Sequence, residues 1–164
     1  MSTNPYQWSP SPPLPQQPAP PLAGWGTRAA AMLVDAAVLG VPFTAALVFA
    51  MATATPQTDP YDAGSPTTAG GLALFLGFLW LFGGWIWNRI VRQGRSGRSL
   101  GKSALGIRLL DGQRLAPVGA GSAFLRDIAH HLDAVAFLGF VWPLWDARRQ
   151  TFADKICGTV VVRG

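Results

Sequence analysis

Two apolar runs decide what this chain can fold into. The first reaches from Ala29 to Ala52 and carries a single charge, Asp35. The second reaches from Ala69 to Trp87, "AGGLALFLGFLWLFGGWIW". About 20 apolar residues cross a bilayer as a helix. A helix is also one of the few shapes that satisfies its backbone groups inside lipid. The sequence therefore predicts transmembrane helices at 29–52 and 69–87. The first run is too long, and begins too far along the chain, to read as a secretory leader, so a retained anchor is expected.

Charge supports a membrane reading and orients it. Charged residues make up 13% of the chain, against about 25% in soluble domains. All eight acids are Asp, and eleven of the thirteen bases are Arg. Seven bases, from Arg89 to Arg114, cluster within residues 88–120, whereas 53–68 holds two Asp, three Pro and no base. The positive-inside rule places the N-terminus and 88–120 in the cytoplasm. A basic loop there, flexible at its glycines, suits anionic headgroups, at about 1 kcal/mol per base. Flanking apolar segments argue against a nucleic-acid partner.

Other segments are less uniform. Residues 1–23 contain eight prolines and no charged side chain, a composition that favours a disordered, polyproline-like tail able to dock a protein partner. "GIRLLDGQRLAPV" alternates around Asp111-Gly112 and reads as a cytoplasmic β-hairpin. "GTVVVRG" is a further strand candidate. Residues 122–145 hold Arg126, Asp127, His130, His131 and Asp133 in one half and "AVAFLGFVWPLW" in the other. Both ends are basic, which fits a re-entrant or interfacial helix broken near Gly139 or Pro143. A complete third span is the alternative. The fold class is thus all-α integral membrane with a small β element.

Asp35 poses the chemical question. It lies seven residues after Arg28, on the same helical face but about 10 Å along the axis. A charge at mid-membrane costs about 2.5–3.5 kcal/mol even on lenient scales. Pro42 cannot donate to Val38 O, which frees a carbonyl one turn beyond Asp35. Two readings stand: a structural pair with an arginine of another helix, such as Arg126, or a carboxylate that handles a proton or a small cation. "GRSGRSLGKS" misses the phosphate-binding P-loop because Ser96 stands where its first glycine belongs. Asp127, His130 and His131 have ligand-like helical spacing, but no second ligand group accompanies them and Arg126 opposes a cation. No catalytic Ser/His/Asp or Cys/His grouping assembles, and Cys157 is alone. The expectation is a protein without enzymatic activity, cofactor or resident metal.

"RAAAMLVD", "GRSLGKSALGIRLLDGQRLAP", "AFLRDI" and "RRQTFADKICGTVVV" together resemble the RDD family of small bacterial membrane proteins, named for one arginine and two aspartates. The resemblance covers residues 24–164. It implies that Arg28 and Asp35 are the first two signature residues and Asp154 the third, with Asp133 a weaker candidate. Some members of that family are associated with sodium/proton exchange, so the resemblance implies a bacterial inner-membrane protein that moves small ions. With few spans, a homo-oligomer is needed to enclose a path. The contrasting expectation is a membrane scaffold that recruits partners through its tail and basic loop.

Overall fold

The computed structural model describes residues 20–55, 64–134 and 137–164. Most of the proline-rich tail and the centre of the 53–68 loop lie outside these residues. Helix α1 runs Trp25–Ala52 and α2 runs Thr68–Trp85. The second helix does not stop at the tryptophans. It continues as a π-helical stretch, Ile86–Arg92, and a short α3, Gln93–Ser96, before Gly97 ends it with φ 72°. The continuous second helix is therefore Thr68–Ser96, reaching nine residues beyond the end of the apolar run. Hydropathy ends the span at Asn88 because Asn88 and Arg89 are polar. The helix continues because both find partners on other elements.

Both helices are long and apolar enough to cross a membrane, with mean hydropathy 2.0 and 1.8. Only 11% of each apolar window is buried within the fold. A core helix of a soluble protein would hide most of that surface. Here Leu33, Val41, Val48, Phe75 and Phe78 point outward.

Helices α1 and α2 pack through small residues. A Cβ at Gly77 would lie 2.9 Å from Ala46 Cβ, and one at Gly84 would lie 2.7 Å from Leu39 Cδ2. Without a hydrophobic drive between helices in lipid, such close backbone approach supplies the contact.

Beyond the second helix the chain folds into a small polar cap. Helix α4 (Leu100–Ala104) leads into β1 (Ile107–Asp111), and α5 (Gly119–Ala134) follows. Helix α6 (Leu138–Val141) and a 3₁₀ turn at Trp142–Leu144 come next, then α7 (Phe152–Ile156) and β2 (Thr159–Arg163). The 122–145 segment is thus not one continuous helix. Helix α5 ends at Ala134 and α6 begins at Leu138, after Phe137 with φ 56°, and α6 gives way to the 3₁₀ turn that contains Pro143. Neither piece has the length and hydropathy of a span.

The predicted hairpin also requires correction. β1 pairs antiparallel with β2, from Ile107↔Arg163 to Asp111↔Thr159. Asp111 does begin a tight turn, with Leu115 N–H donating to its carbonyl at 3.0 Å. The returning "LAPVG" forms only an isolated bridge, Leu110↔Pro117. Proline lacks the N–H that a ladder needs, whereas "TVVVR" offers β-branched residues throughout. On the other side of β2, Ala23 N–H donates to Val161 O at 2.9 Å and Arg163 N–H to Pro21 O at 2.8 Å. The structured chain therefore begins before residue 23, inside the region expected to be tail.

The 97–106 segment is not a loose basic loop. Ser99, Gly101 and Lys102 are buried, while Arg95 and Arg108 remain exposed. Gly101 sits against the first helix, where a Cβ would run into the Ala31 carbonyl. Gly101→Ala is expected to cost about 1–3 kcal/mol through overpacking. A melting temperature equal to the parent's would refute that contact.

Candidate functional site

The site lies where the start of α1, the end of the second helix and the cap meet. Its centre is Asp154. A capping box in α7 holds it in place: Thr151 Oγ accepts from Asp154 N–H at 3.1 Å, and Asp154 Oδ2 accepts from Thr151 N–H at 3.2 Å. Its two oxygens then take two arginines from different helices. Arg28 Nη1 donates to Oδ2 at 2.9 Å, and Arg126 Nε donates to Oδ1 at 2.7 Å. Thr159 Oγ1 adds a bond to Oδ1 at 3.0 Å. Asp154 is fully buried. Burial alone would raise its carboxyl, but the Arg126 and Arg28 charges outweigh that and hold it at about 2.

Asp35 is placed apart from this cluster and has no arginine among the described residues. Arg126, the partner considered for it, is engaged with Asp154. Asp35 instead accepts three neutral donors: Asn88 Nδ2 at 2.8 Å, Ser99 Oγ at 2.6 Å and Gly101 N–H at 2.7 Å. A buried carboxylate can be stabilised by hydrogen bonds to its charged form alone. Ser99 is also the N-cap of α4, so Asp35 fastens the first residues of α4 to the first long helix. The carbonyl freed by Pro42 is occupied as well, since Trp80 Nε1 donates to Val38 O at 3.2 Å. Asp35 and Val38 O therefore do not form the cation-ligand pair that the proline spacing suggested.

Two further polar groups complete the arrangement. Arg89 is paired with Asp127, which also accepts from Trp85 Nε1 at 2.9 Å. The π-helical stretch places Asn88 towards Asp35 and Arg89 towards Asp127, and single wide turns of this kind often sit at functional positions. His130 Nδ1 lies 2.5 Å from Asp133 Oδ2, and Asp133 Oδ1 accepts from Ala153 N–H at 3.2 Å. His131 Nδ1 lies 2.9 Å from the Ile128 carbonyl. Asp127, His130 and His131 thus turn to different partners, and no group of three metal-ligating side chains is present among the described residues.

Two residues of the site have no counterpart in the sequence reading. Lys102 Nζ donates to Gln93 Oε1 at 2.6 Å, with both residues buried. Burial, with the Arg126 and Arg89 charges behind it, brings the Lys102 ammonium down to about 7 against the pull of Asp35 and Asp154. Lys102 looked like one base among seven. Only the fold of α4 turns it inward.

Two cavities flank this network. One is an open cleft of about 300 Å³ whose wall includes Asp35, Arg89, Asp127, His130 and His131. The other, about 210 Å³, is walled by Arg28, Arg89, Lys102, Arg126 and His130, with Trp25 and Phe140 among its apolar residues.

These features define a class: a membrane-type helical protein whose two long helices are tied to a small cap by buried arginine–aspartate pairing. The chain belongs to the RDD family, whose profile matches residues 22–158. It is 36% identical over 152 residues to the proline-rich antigen homolog of two Mycobacterium tuberculosis strains, covering 84% of this chain and 62% of theirs. It is 35% identical over 150 residues to the proline-rich antigen of Mycobacterium leprae, covering 83% of this chain and 59% of that one. The chain spans about three-fifths of the length of these curated relatives. No solved structure gives a significant match.

Proposed function

We propose that this chain is a multi-pass protein of the bacterial inner membrane that moves protons or small cations as an oligomer, with sodium/proton exchange as its narrowest form. The observation that carries the reading is the open cleft beside α1. It brings two carboxylates, Asp35 and Asp127, and two imidazoles, His130 and His131, to one wall. Ionisable groups inside membrane segments are costly and mark ion or proton paths, and Asp35 lies within the first long helix. Arg28, Asp154 and Arg126 are not part of this cleft's wall among the described residues. The face of α1 at Ala36, Gly40 and Thr44 borders an apolar groove, and a Cβ at Gly40 would meet nothing within 4 Å. Small residues left open in this way suit helix–helix association between copies. Arg95 and Arg108, exposed on the cap, suit a cytoplasmic face next to anionic headgroups.

Proteoliposomes with an internal pH dye test the reading. Sodium-driven proton movement is expected in the parent protein and at least a tenfold loss in Asp35→Asn, which preserves shape and removes charge. Flux unchanged by the substitution removes Asp35 from the path. Absence of any flux, with partner recovery abolished by deleting residues 1–19, would favour the scaffold reading instead.

A further inference from the structure

The 210 Å³ cavity differs in chemistry from the open cleft. Four cationic side chains reach its wall from four separate elements: Arg28 from α1, Arg89 from the π-helical stretch, Lys102 from α4 and Arg126 from α5. No carboxylate belongs to that wall among the described residues. Three of the cations have carboxylate partners behind them, Asp154 for Arg28 and Arg126, and Asp127 for Arg89. Lys102 has only the neutral Gln93 as hydrogen-bond partner. Asp35 and Asp133 lie in the same region, but Asp35 is held by neutral donors and Asp133 by His130 and a backbone N–H.

Donor capacity also exceeds what the protein uses. Among the described residues, Arg126 donates through Nε alone, and Lys102 Nζ makes one of its three possible hydrogen bonds. Arg28 Nε is buried without a partner. Arg89 engages Asp127 through Nε and Nη2, leaving Nη1. A surplus of buried cationic donors is costly unless something accepts from them.

We propose that this cavity binds a phosphate-type oxyanion, either the headgroup of a lipid or a free anion. The donors converge from several directions, which suits a tetrahedral group with acceptors on all sides better than a flat carboxylate. Guanidinium groups match phosphate geometry and ammonium supplies point charge. The volume is several times the ~30 Å³ share of one water, enough for one such group but not for a nucleotide. Arg28 opens the first long helix and Arg89 lies near the end of the second, so the cavity sits at the level where headgroups lie. Trp25 Nε1 donates to Phe140 O at 2.7 Å and closes one side with rings. The inference is independent of ion movement through the cleft, although Met32, Arg89 and His130 border both spaces.

The test uses the full chain, purified in detergent and in phosphatidylcholine nanodiscs. One arm adds inorganic phosphate and follows binding by calorimetry. The other compares nanodiscs with and without phosphatidic acid and follows retained lipid by native mass spectrometry. Lys102→Met is the informative variant, because it removes a buried charge without disturbing the Asp154 pairs. It is expected to fold and to lose at least about tenfold in affinity, as loss of a charge-assisted bond predicts. Lys102→Gln, which keeps a donor for Gln93, replaces it should the Met variant fail to fold. Lys155→Met, outside the cavity, should bind like the parent. Saturable binding in the phosphate arm that Lys102→Met weakens identifies a free anion. The same loss in the phosphatidic-acid arm alone identifies a headgroup. Binding in neither arm, or binding equal in parent and both Lys102 variants, overturns the proposal.

Discussion

Asp154→Ala is expected to destabilise the protein by about 3–5 kcal/mol, the usual cost of leaving buried charges without a partner. Arg28 and Arg126 both donate to this carboxylate. Its loss would leave two buried guanidiniums with no counter-charge between them. The α7 capping box and the Thr159 bond would be lost in the same step. Intrinsic tryptophan fluorescence of the solubilised protein should report a melting temperature lowered by more than about 6 °C. The contrasting substitution is Asp146→Ala, whose Lys155 partner is 42% exposed. A solvated pair of that kind contributes only about 0–1 kcal/mol, and Asp146 also accepts from the Arg148 and Gln150 N–H groups, so a smaller fall than for Asp154→Ala is expected. Equal melting temperatures for the two variants would refute the central role of Asp154. The same pair dictates acid behaviour. An unfolded carboxyl titrates near 3.8 and the folded one at about 2. This contribution, roughly 2 kcal/mol, is complete above pH 3.8 and lost as pH falls through 2.

Asp35→Ala tests a different link, the attachment of the cap to the first long helix. Hydropathy alone predicts an improvement, because removing a mid-membrane charge is worth about 2.5–3.5 kcal/mol to insertion. The structure predicts the reverse for the folded protein. Asn88 Nδ2, Ser99 Oγ and Gly101 N–H would all lose their acceptor. Each stranded buried donor costs about 1–3 kcal/mol, so their loss outweighs the gain for the helix by itself. The expected result is a protein that still inserts but whose 99–105 segment opens. Hydrogen exchange at Gly101 should accelerate by at least about a hundredfold, the equivalent of about 2.7 kcal/mol. Exchange as slow as in the parent would show that α4 docks without Asp35.

The long helices were legible because their signal is local: a continuous apolar run fixes itself wherever it lies in the fold. Asp154 was singled out in the sequence only through family resemblance. Nothing near Asp154 in sequence distinguishes it from Asp146, yet one is fully buried between two arginines and the other pairs with a half-exposed lysine. The second helix was read too short because Arg89 is neutralised by Asp127, a residue 38 positions away. The hairpin failed for a related reason. The turn at Asp111 is present, but the strand that completes the ladder lies beyond α7. Lys102 and Gln93 were missed because a basic residue in a basic run carries no sign of being inward. In each case the missing information was a partner distant in the chain.

The sheet therefore sets an order of assembly. Residues 21–23 and 107–111 both pair with β2, at residues 159–163. Arg28 also reaches Val161 O at 3.3 Å. During synthesis the two long helices emerge well before that strand exists. Arg28 must then wait without its carboxylate until Asp154 is made. The strand that pairs with both β1 and residues 21–23 follows the two long helices in sequence, so the polar site can close only after both helices are made.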